Sequence, residues 1–545
     1  MLGENCGCWN LSHQRIHNML VMANRTVKLF LLLLTLCTVA SSEAKARFQC
    51  TRYQLKCSII PEEYSLSAEA LLRFVCLAPN VDTLEFSLNE NFSVQSASLN
   101  GIQSHSLIRG PIGGDGRLYK LISTNKLPLG DTVLLSIAYA GSLDSALEFG
   151  IISPGITELS MYVNWFPSLS STDYSETRTD FSLTFPAQYE FTSGGLLVAD
   201  ELREGKRVKR WLNEGELWLD FVVIASNHMK LERMSPHRYI FYSDEIERRD
   251  LLQMIDYSTE CINYYTTLYG PSRLRKDITI VSLPIERKST VAYFRSTLFV
   301  YTRSYLQSGY ASWQFNKTLF HEIAHFFWII TSNSVRPPDS WIDEGLAEYS
   351  AWLAVGHIFG DDYFNKCLTQ ASNTILKKPR VFLTHSAQDD YFYAFVPYVY
   401  HMMRFDLGDS LFFTMLKELH STIGTKANTS PQAFIDSIHQ FTHIPIDTFL
   451  QQWFSRDTFP DLTFSFQQDS LSANNYRVRV RIAQRQAQIF NTPVAVVLRF
   501  ASGVNEMHKI LIKDRVQSFE FLIQTRLKQV DLNPEKSIIA TVIRQ

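Results

Sequence analysis

The sequence predicts a multidomain α+β protein with an N-terminal antiparallel β domain, a mainly helical middle domain and a small C-terminal β-sandwich. Three observations carry this reading. Short alternating apolar runs fill the first part of the chain and return after Pro460, whereas helical periodicity dominates between them. A length of 545 residues with 46% hydrophobic content supplies cores for about three domains. The net charge of −2, with no Lys/Arg block, leaves no basic surface of the kind that holds nucleic acid, so no nucleic-acid partner is expected.

Residues 1–46 form the first unit. Arg25 and Lys28 precede a twelve-residue apolar run, Leu29 to Ala40, followed by Ser41, Ser42 and Ala44-Lys45-Ala46. This is the shape of a secretory signal peptide whose core is short for a bilayer, with Met22 or Met19 as the start. The expected location is secreted or periplasmic, with no stable membrane span after cleavage. The alternative is an uncleaved membrane anchor, since residues 1–21 are long for the region before such a core. Cleavage after Ala46 leaves Cys50, Cys57, Cys76, Cys261 and Cys367. An odd, scattered set is not a disulfide framework, although Cys50 and Cys57 could pair in an oxidising compartment.

Residues 47–234 are assigned to the N-terminal β domain. Tyr64-Leu66-Ala68, Val133 to Tyr139, Phe181-Leu183-Phe185 and Leu217-Leu219-Phe221 alternate, and Gly113-Gly114-Asp115-Gly116 reads as a turn. Residues 235–458 are mainly helical, including Thr318–Ile330, Ser340–Val355 and Asp409–His420. Residues 459–545 return to period two. Tyr476, Val478, Val480 and Ile482 alternate with Arg477, Arg479 and Arg481, which read as the wet face of a sheet rather than an anion site.

The most specific feature is His321-Glu322-Ile323-Ala324-His325, followed after eighteen intervening residues by Glu344. The segment TLFHEIAHFFWII has no Gly or Pro and suits a buried helix. Two histidines four apart share one helix face and can converge on one ion, while Glu322 points toward a water on it. Burying two imidazoles and a carboxylate among Leu319, Phe320, Phe326, Phe327 and Trp328 without partners would be costly, and a metal relieves that cost. Glu344 sits in SWIDEGLAEYSAWLAV, a second helix after Pro337 and Pro338 that Asp339 or Ser340 can cap, and its place is one turn inside. Three protein ligands leave a zinc position open, as in a catalytic site, so one Zn2+ per chain is expected. Glu348 is open to two readings: a partner that holds a ligand histidine, or the favoured one, a solvated carboxylate paired elsewhere.

HEIAH, eighteen residues and then Glu344 within WIDEGLAEY resembles the aminopeptidase N family of gluzincin zinc metallopeptidases, in a short form lacking the C-terminal helical domain. Asp343 stands where the family usually has Asn. The stretch Tyr393-AFVPYVYHMMRFDLGDSLF resembles the family segment that begins with Tyr-Glu-Lys-Gly, and Tyr393 lies fifteen residues before Gly408. Tyr398, in Val396-Pro397-Tyr398, is the rival under a second alignment. The resemblance implies a thermolysin-like catalytic domain with His321, His325 and Glu344 on zinc. It also implies Glu322 as general base and Tyr393 as a hydrogen-bond donor to the oxyanion, a contribution of roughly 2.7–4 kcal/mol where such a donor is preorganised. Val530-Asp531-Leu532-Asn533-Pro534 resembles the family's closing strand.

One departure bears on specificity. The family's Gly-x-Met-Glu-Asn segment, whose Glu grips the substrate amine, aligns with Val291-Ala292-Tyr293-Phe294-Arg295, which has no carboxylate; Glu286 upstream is the candidate substitute. Three functions follow: a peptidase of aminopeptidase type with altered N-terminus recognition, an endopeptidase or other zinc hydrolase on the same site, and a catalytically silent zinc-binding interaction protein. The expected partner is a peptide substrate. Oligomeric state is not legible.

Overall fold

The structure, a computed structural model, describes residues 46–545 apart from 103–105, 114–115, 145–148, 175–176, 214–219, 236–237, 244–247, 273–277, 286–291, 296, 303–311, 329–341, 378–390, 423–430, 442–445, 455, 457 and 473. The expected signal segment lies outside these residues, as do Gly114, Asp115, Leu217, Leu219, Glu286, Val291 and the expected caps Asp339 and Ser340. The chain is a multidomain α+β protein, β-rich at its N-terminal side and helical in its middle.

The N-terminal part is built on an eight-stranded sheet. Seven of its strands run in the order Leu196–Arg203, Lys206–Asn213, Arg178–Pro186, Phe48–Ile60, Ser65–Cys76, Thr132–Ser142 and Phe92–Leu99. The alternation seen in sequence becomes two faces. Tyr53, Leu55, Cys57 and Ile59 are buried, and Arg52, Gln54, Lys56 and Ser58 point the other way. The expectation of an antiparallel domain needs one correction: Phe48–Ile60 pairs in parallel with Arg178–Pro186 and with Thr172–Asp173. The closing stretch is far away in sequence, so no hairpin turn constrains its direction. Cys50 and Cys57 lie seven residues apart on one strand, ~23 Å at strand rise, which no disulfide spans. All five cysteines described are free and buried.

A small sheet of Glu190–Thr192, Val223–Ser226, Thr157–Leu159 and Gly150–Ile152 links this part to the next. Its strand Val223–Ser226 is buried on both faces: Val223 and Ala225 join the N-terminal core, whereas Ile224 packs in a second cluster with Val281, Tyr293, Leu298 and Val300.

Those residues belong to a five-stranded sheet, ordered Met229–Ser235, Arg238–Ser243, Ile278–Leu283, Leu298–Thr302, Ala292–Arg295. The boundary drawn at 234/235 falls inside its first hairpin. Ile278–Leu283 runs parallel to both neighbours and is buried throughout. Ile278 and Ile280 meet the helical core and Val281 and Leu283 meet the linking cluster, which explains a continuous apolar run rather than an alternating one. Helix Arg248–Tyr269 joins the strands Arg238–Ser243 and Ile278–Leu283, and helices Trp313–Ala324, Asp343–Phe359, Asp361–Lys377, Val396–Leu407, Asp409–Thr422, Pro431–Phe441 and Ile446–Phe454 follow the sheet.

After Pro460 the chain forms a four-stranded and a three-stranded sheet. Val478, Val480 and Ile482 are buried and share one core cluster with Val494, Val496 and Leu498 and with the helices, Trp453 meeting Phe490 at 5.2 Å. The helical middle and the C-terminal sheets therefore do not have separate cores. Val530, Asp531 and Leu532 of the expected closing strand lie in the strand Leu527–Leu532, which pairs with Thr492–Phe500, and a further strand, Thr541–Arg544, runs parallel to Asp461–Ser472.

Close helix packing sets the position of Glu344. A methyl group added at Gly345 would run into Val396 Cγ1 and come within 3.3 Å of Tyr400 Cε2. Gly345→Ala should therefore push the helices Asp343–Phe359 and Val396–Leu407 apart and cost about 1–3 kcal/mol, read as a lower urea midpoint with an unchanged m-value.

Candidate active site

The helix Trp313–Ala324 starts five residues before the predicted Thr318, because Ser312 caps it: its Oγ accepts from the Phe315 amide at 3.2 Å. Leu319, Phe320, Ile323 and Ala324 are fully buried, and the Tyr265 hydroxyl donates to the Phe320 carbonyl at 3.0 Å. His325 is the C-terminal cap of this helix, still in right-handed helical conformation, so the i,i+4 relation with His321 survives and the rings lie 4.9 Å apart. Glu344 is the second residue of the helix Asp343–Phe359, nearer its N-terminus than the sequence predicts. Its amide is held by Asp343 Oδ1 at 2.9 Å.

These two helices bring the expected ligands together. One ligand atom from each of His321, His325 and Glu344 lies within 4.8 Å of the others. His321 Nε2 is 3.2 Å from Glu344 Oε2, and His325 Nε2 is 3.9 Å from Glu344 Oε1. Glu322, 9% exposed, lies on the same helix beside His321.

Glu348 corrects the favoured sequence reading. It is 2% exposed rather than solvated, and its Oε2 lies 3.1 Å from His321 Nδ1. Its other oxygen accepts from Trp352 Nε1 at 2.8 Å and from Lys317 Nζ. With Nδ1–H donated to Glu348, the lone pair of His321 Nε2 faces the ligand cluster. Lys317 was missed entirely. The signal was available as two facing i,i+4 pairs, Lys317–His321 and Glu344–Glu348, but only the packing of the two helices makes them one network.

The electrostatics follow from this crowding. Burial disfavours the charged imidazole of His321, yet the Glu344 and Glu348 carboxylates outweigh it and lift the group to about 10. Burial likewise opposes the Glu344 carboxylate, but His321 and His325 hold it down at about 2. Glu348 is lowered against its burial by Lys317 and His321. Asp343 is pushed up to about 8, first by burial and then by the neighbouring Glu344 charge. The cluster gathers negative charge around His321, an arrangement that favours a bound cation or proton there.

Tyr393 lies in a π-helical turn, Tyr391–Phe395, which leads into the helix Val396–Leu407. Its hydroxyl donates to Glu344 Oε2 at 3.3 Å, its ring is 5.5 Å from that of His321, and it is 43% exposed. Burial and the surrounding carboxylates push its hydroxyl well above the usual tyrosine range, so it stays protonated. The rival Tyr398 is fully buried and donates to the Lys536 carbonyl at 2.6 Å, a structural role.

The strand Ala292–Arg295 is the edge of the five-stranded sheet. Phe294 lies parallel to the His325 ring at 6.4 Å, so the segment reaches the ligand cluster. A carboxylate does come to this strand, from elsewhere: Tyr293 donates its hydroxyl to Glu158, which is fully buried in Thr157–Leu159. A separation of 135 residues hid this pair from the sequence reading.

No family model and no curated protein matches this chain. Among solved structures it is similar to Legionella pneumophila aminopeptidase A in complex with aspartic acid, with a TM-score of 0.70 and 14% identity. The match covers 93% of this chain and 60% of that one, so the chain spans less than two thirds of that relative. At this identity the likeness shows a shared fold and nothing of activity. Among the described residues no helix is long and apolar enough to cross a membrane.

The Glu348 contact generates one expectation. Glu348→Gln should weaken divalent-metal binding 10–100-fold by loosening the His321 orientation, measured by equilibrium dialysis against a metal buffer with circular dichroism to confirm folding.

Proposed function

We propose that the chain is a zinc-dependent metallopeptidase of aminopeptidase type whose recognition of the substrate N-terminus is altered. One observation carries this: the ligand atoms of His321, His325 and Glu344 converge within 4.8 Å beside the carboxylate of Glu322. The donor set fits zinc. Two imidazoles and one carboxylate suit that ion, and three protein ligands leave a position for chemistry. When bound, zinc would acidify a water and polarise a substrate carbonyl.

The remaining roles belong to side chains of this chain. Glu322 takes a proton from the attacking water and returns it to the leaving nitrogen. Tyr393, kept protonated, donates to the oxygen on which negative charge develops. Glu348 and Lys317 orient His321. The strand Ala292–Arg295 lies at the edge of its sheet, where an extended peptide would be recognised by β-augmentation.

The aminopeptidase-N-like family and the thermolysin-like arrangement of the helical part belong to the same proposal and rest on the motif and its spacing; the division at 46, 234 and 458 rests on the signal-like segment and on the change between period-two and helical patterning, with a hairpin straddling 234. A secreted or periplasmic location is part of the proposal as well and rests on residues 25–46. A second reading, endopeptidase, is favoured by Phe294, an apolar side chain where an amine-binding carboxylate would stand. Against it, Glu158 is a buried carboxylate beside that strand.

Two measurements decide. Glu322→Gln should retain metal and lose activity by roughly 10²–10⁴-fold; equal turnover at matched metal content would remove Glu322 from the mechanism. Free-amine and N-blocked versions of one peptide library should show preference for the free amine. Internal cleavage of blocked peptides would replace the aminopeptidase reading with the endopeptidase one.

A further inference from the structure

A second candidate site lies on the outward face of the N-terminal sheet, in residues the metallopeptidase reading does not use. Arg73, Arg52 and Arg178 form a ladder across three adjacent strands: Arg52 is the register partner of Arg73 on one side and of Arg178 on the other. Directly opposed residues on neighbouring strands sit about 5 Å apart, and like charges so placed oppose folding. Arg210, one strand beyond, lines the same cleft, which has a volume of about 680 Å³, within the range of small-molecule sites. A β-bulge between Cys50 and Arg52 bends the central strand there, and the extra residue, Thr51, donates its hydroxyl to the Arg73 carbonyl at 3.2 Å.

Charge in the cleft is unbalanced. Asp180 is the carboxylate among its lining residues, against four guanidiniums, and it is already saturated. Arg210 engages both of its oxygens, at 2.7 and 2.8 Å, Gln54 donates to it at 3.2 Å and Arg52 at 3.4 Å. Asp180 thus braces Arg210 and Arg52, which remain about half exposed, 47% and 52%. Arg73 and Arg178 are exposed and have no ion-pair partner among the described residues.

The arginine stripe of the C-terminal sheet shows the ordinary arrangement. There Arg477, Arg479 and Arg481 are spaced along one strand, at about 7 Å, and Glu520 sits opposite Arg479, 3.0 Å from it and 3.8 Å from Arg477. Two of the three arginines in that stripe share Glu520, whereas Arg73 and Arg178 have no ion-pair partner among the described residues.

We propose that this cradle binds a small polyanion carrying two or more phosphate or sulfate groups. A carboxylate carries one negative charge on two oxygens, and Asp180, engaged by Arg210 and Arg52, leaves surplus positive charge in the cradle. A tetrahedral oxyanion presents three oxygens, so one group can be shared by two guanidiniums at strand spacing, and the ladder is long enough for two such groups. The site is independent of the ligand cluster and of any peptidase activity.

Isothermal titration calorimetry at low salt tests this with the full chain. Tripolyphosphate and sucrose octasulfate are the probes that separate phosphate from sulfate. At least one should bind, inorganic phosphate at least tenfold more weakly, and the double variant Arg73→Ala, Arg178→Ala should lose at least tenfold in affinity. Arg479→Ala should bind as wild type does. Both substituted side chains are exposed, so the double variant should fold. Its ligand-free melting temperature should equal or exceed that of wild type, because like charges have been removed. Arg178→Glu serves as a second variant with the same expected loss. Undiminished binding in these variants, or binding of neither probe, would overturn the proposal.

Discussion

The structure of the site depends on one constraint: three carboxylates and two imidazoles crowd together where water is largely excluded, so each must be satisfied by another. Glu348 is the hinge of this arrangement. It takes Lys317 and Trp352 on one oxygen and His321 on the other, and His321 then meets Glu344, which accepts from Tyr393. Removing Glu348 would leave the Lys317 ammonium and His321 without the carboxylate they share, which costs far more than the pair contributes. The network therefore specifies which way His321 points before any ion arrives.

Helix packing makes that network possible. Glu344 and Glu348 lie on one face of a helix almost entirely buried, with Gly345 against Val396 and Tyr400 on the helix that follows the Tyr393 turn. The same contact brings Tyr393 to the cluster. On the other side, the edge strand Ala292–Arg295 reaches the HEIAH helix through Phe294, with Phe326 at 4.9 Å. Ligand cluster, donor and edge strand are held by one continuous core that extends into the C-terminal sheets. A bonded network on helices beside a turn and an edge strand combines rigidity with access, which suits the proposed role.

The two arginine patterns show how register decides the meaning of charge. Period-two arginines along Asn475–Gln484 read as a wet face, and in the structure Glu520 answers Arg477 and Arg479. Arg52, Arg73 and Arg178 carry no pattern in sequence, being separated by 21 and 105 residues. Pairing of Phe48–Ile60 with two partners, one of them parallel, turns them into a row.

By itself the sequence determined what local periodicity can encode. The spacing of His321 and His325 follows from 3.6 residues per turn, the alternating runs from the two faces of a strand, and Glu344 from a motif whose gap is short. Tyr393 was legible through a family resemblance, and Tyr398 could be set aside only when its hydroxyl was seen on the Lys536 carbonyl. Tertiary structure alone decided what depends on contacts between distant segments: Lys317 and Glu348 as one bridge, Glu158 beside Tyr293, and a row of arginines from three strands. The physical reason is the same in each case. A side chain's charge and hydrogen-bonding capacity are written in its residue type, but the desolvation that makes them costly, and the partner that relieves the cost, exist only after the chain has packed.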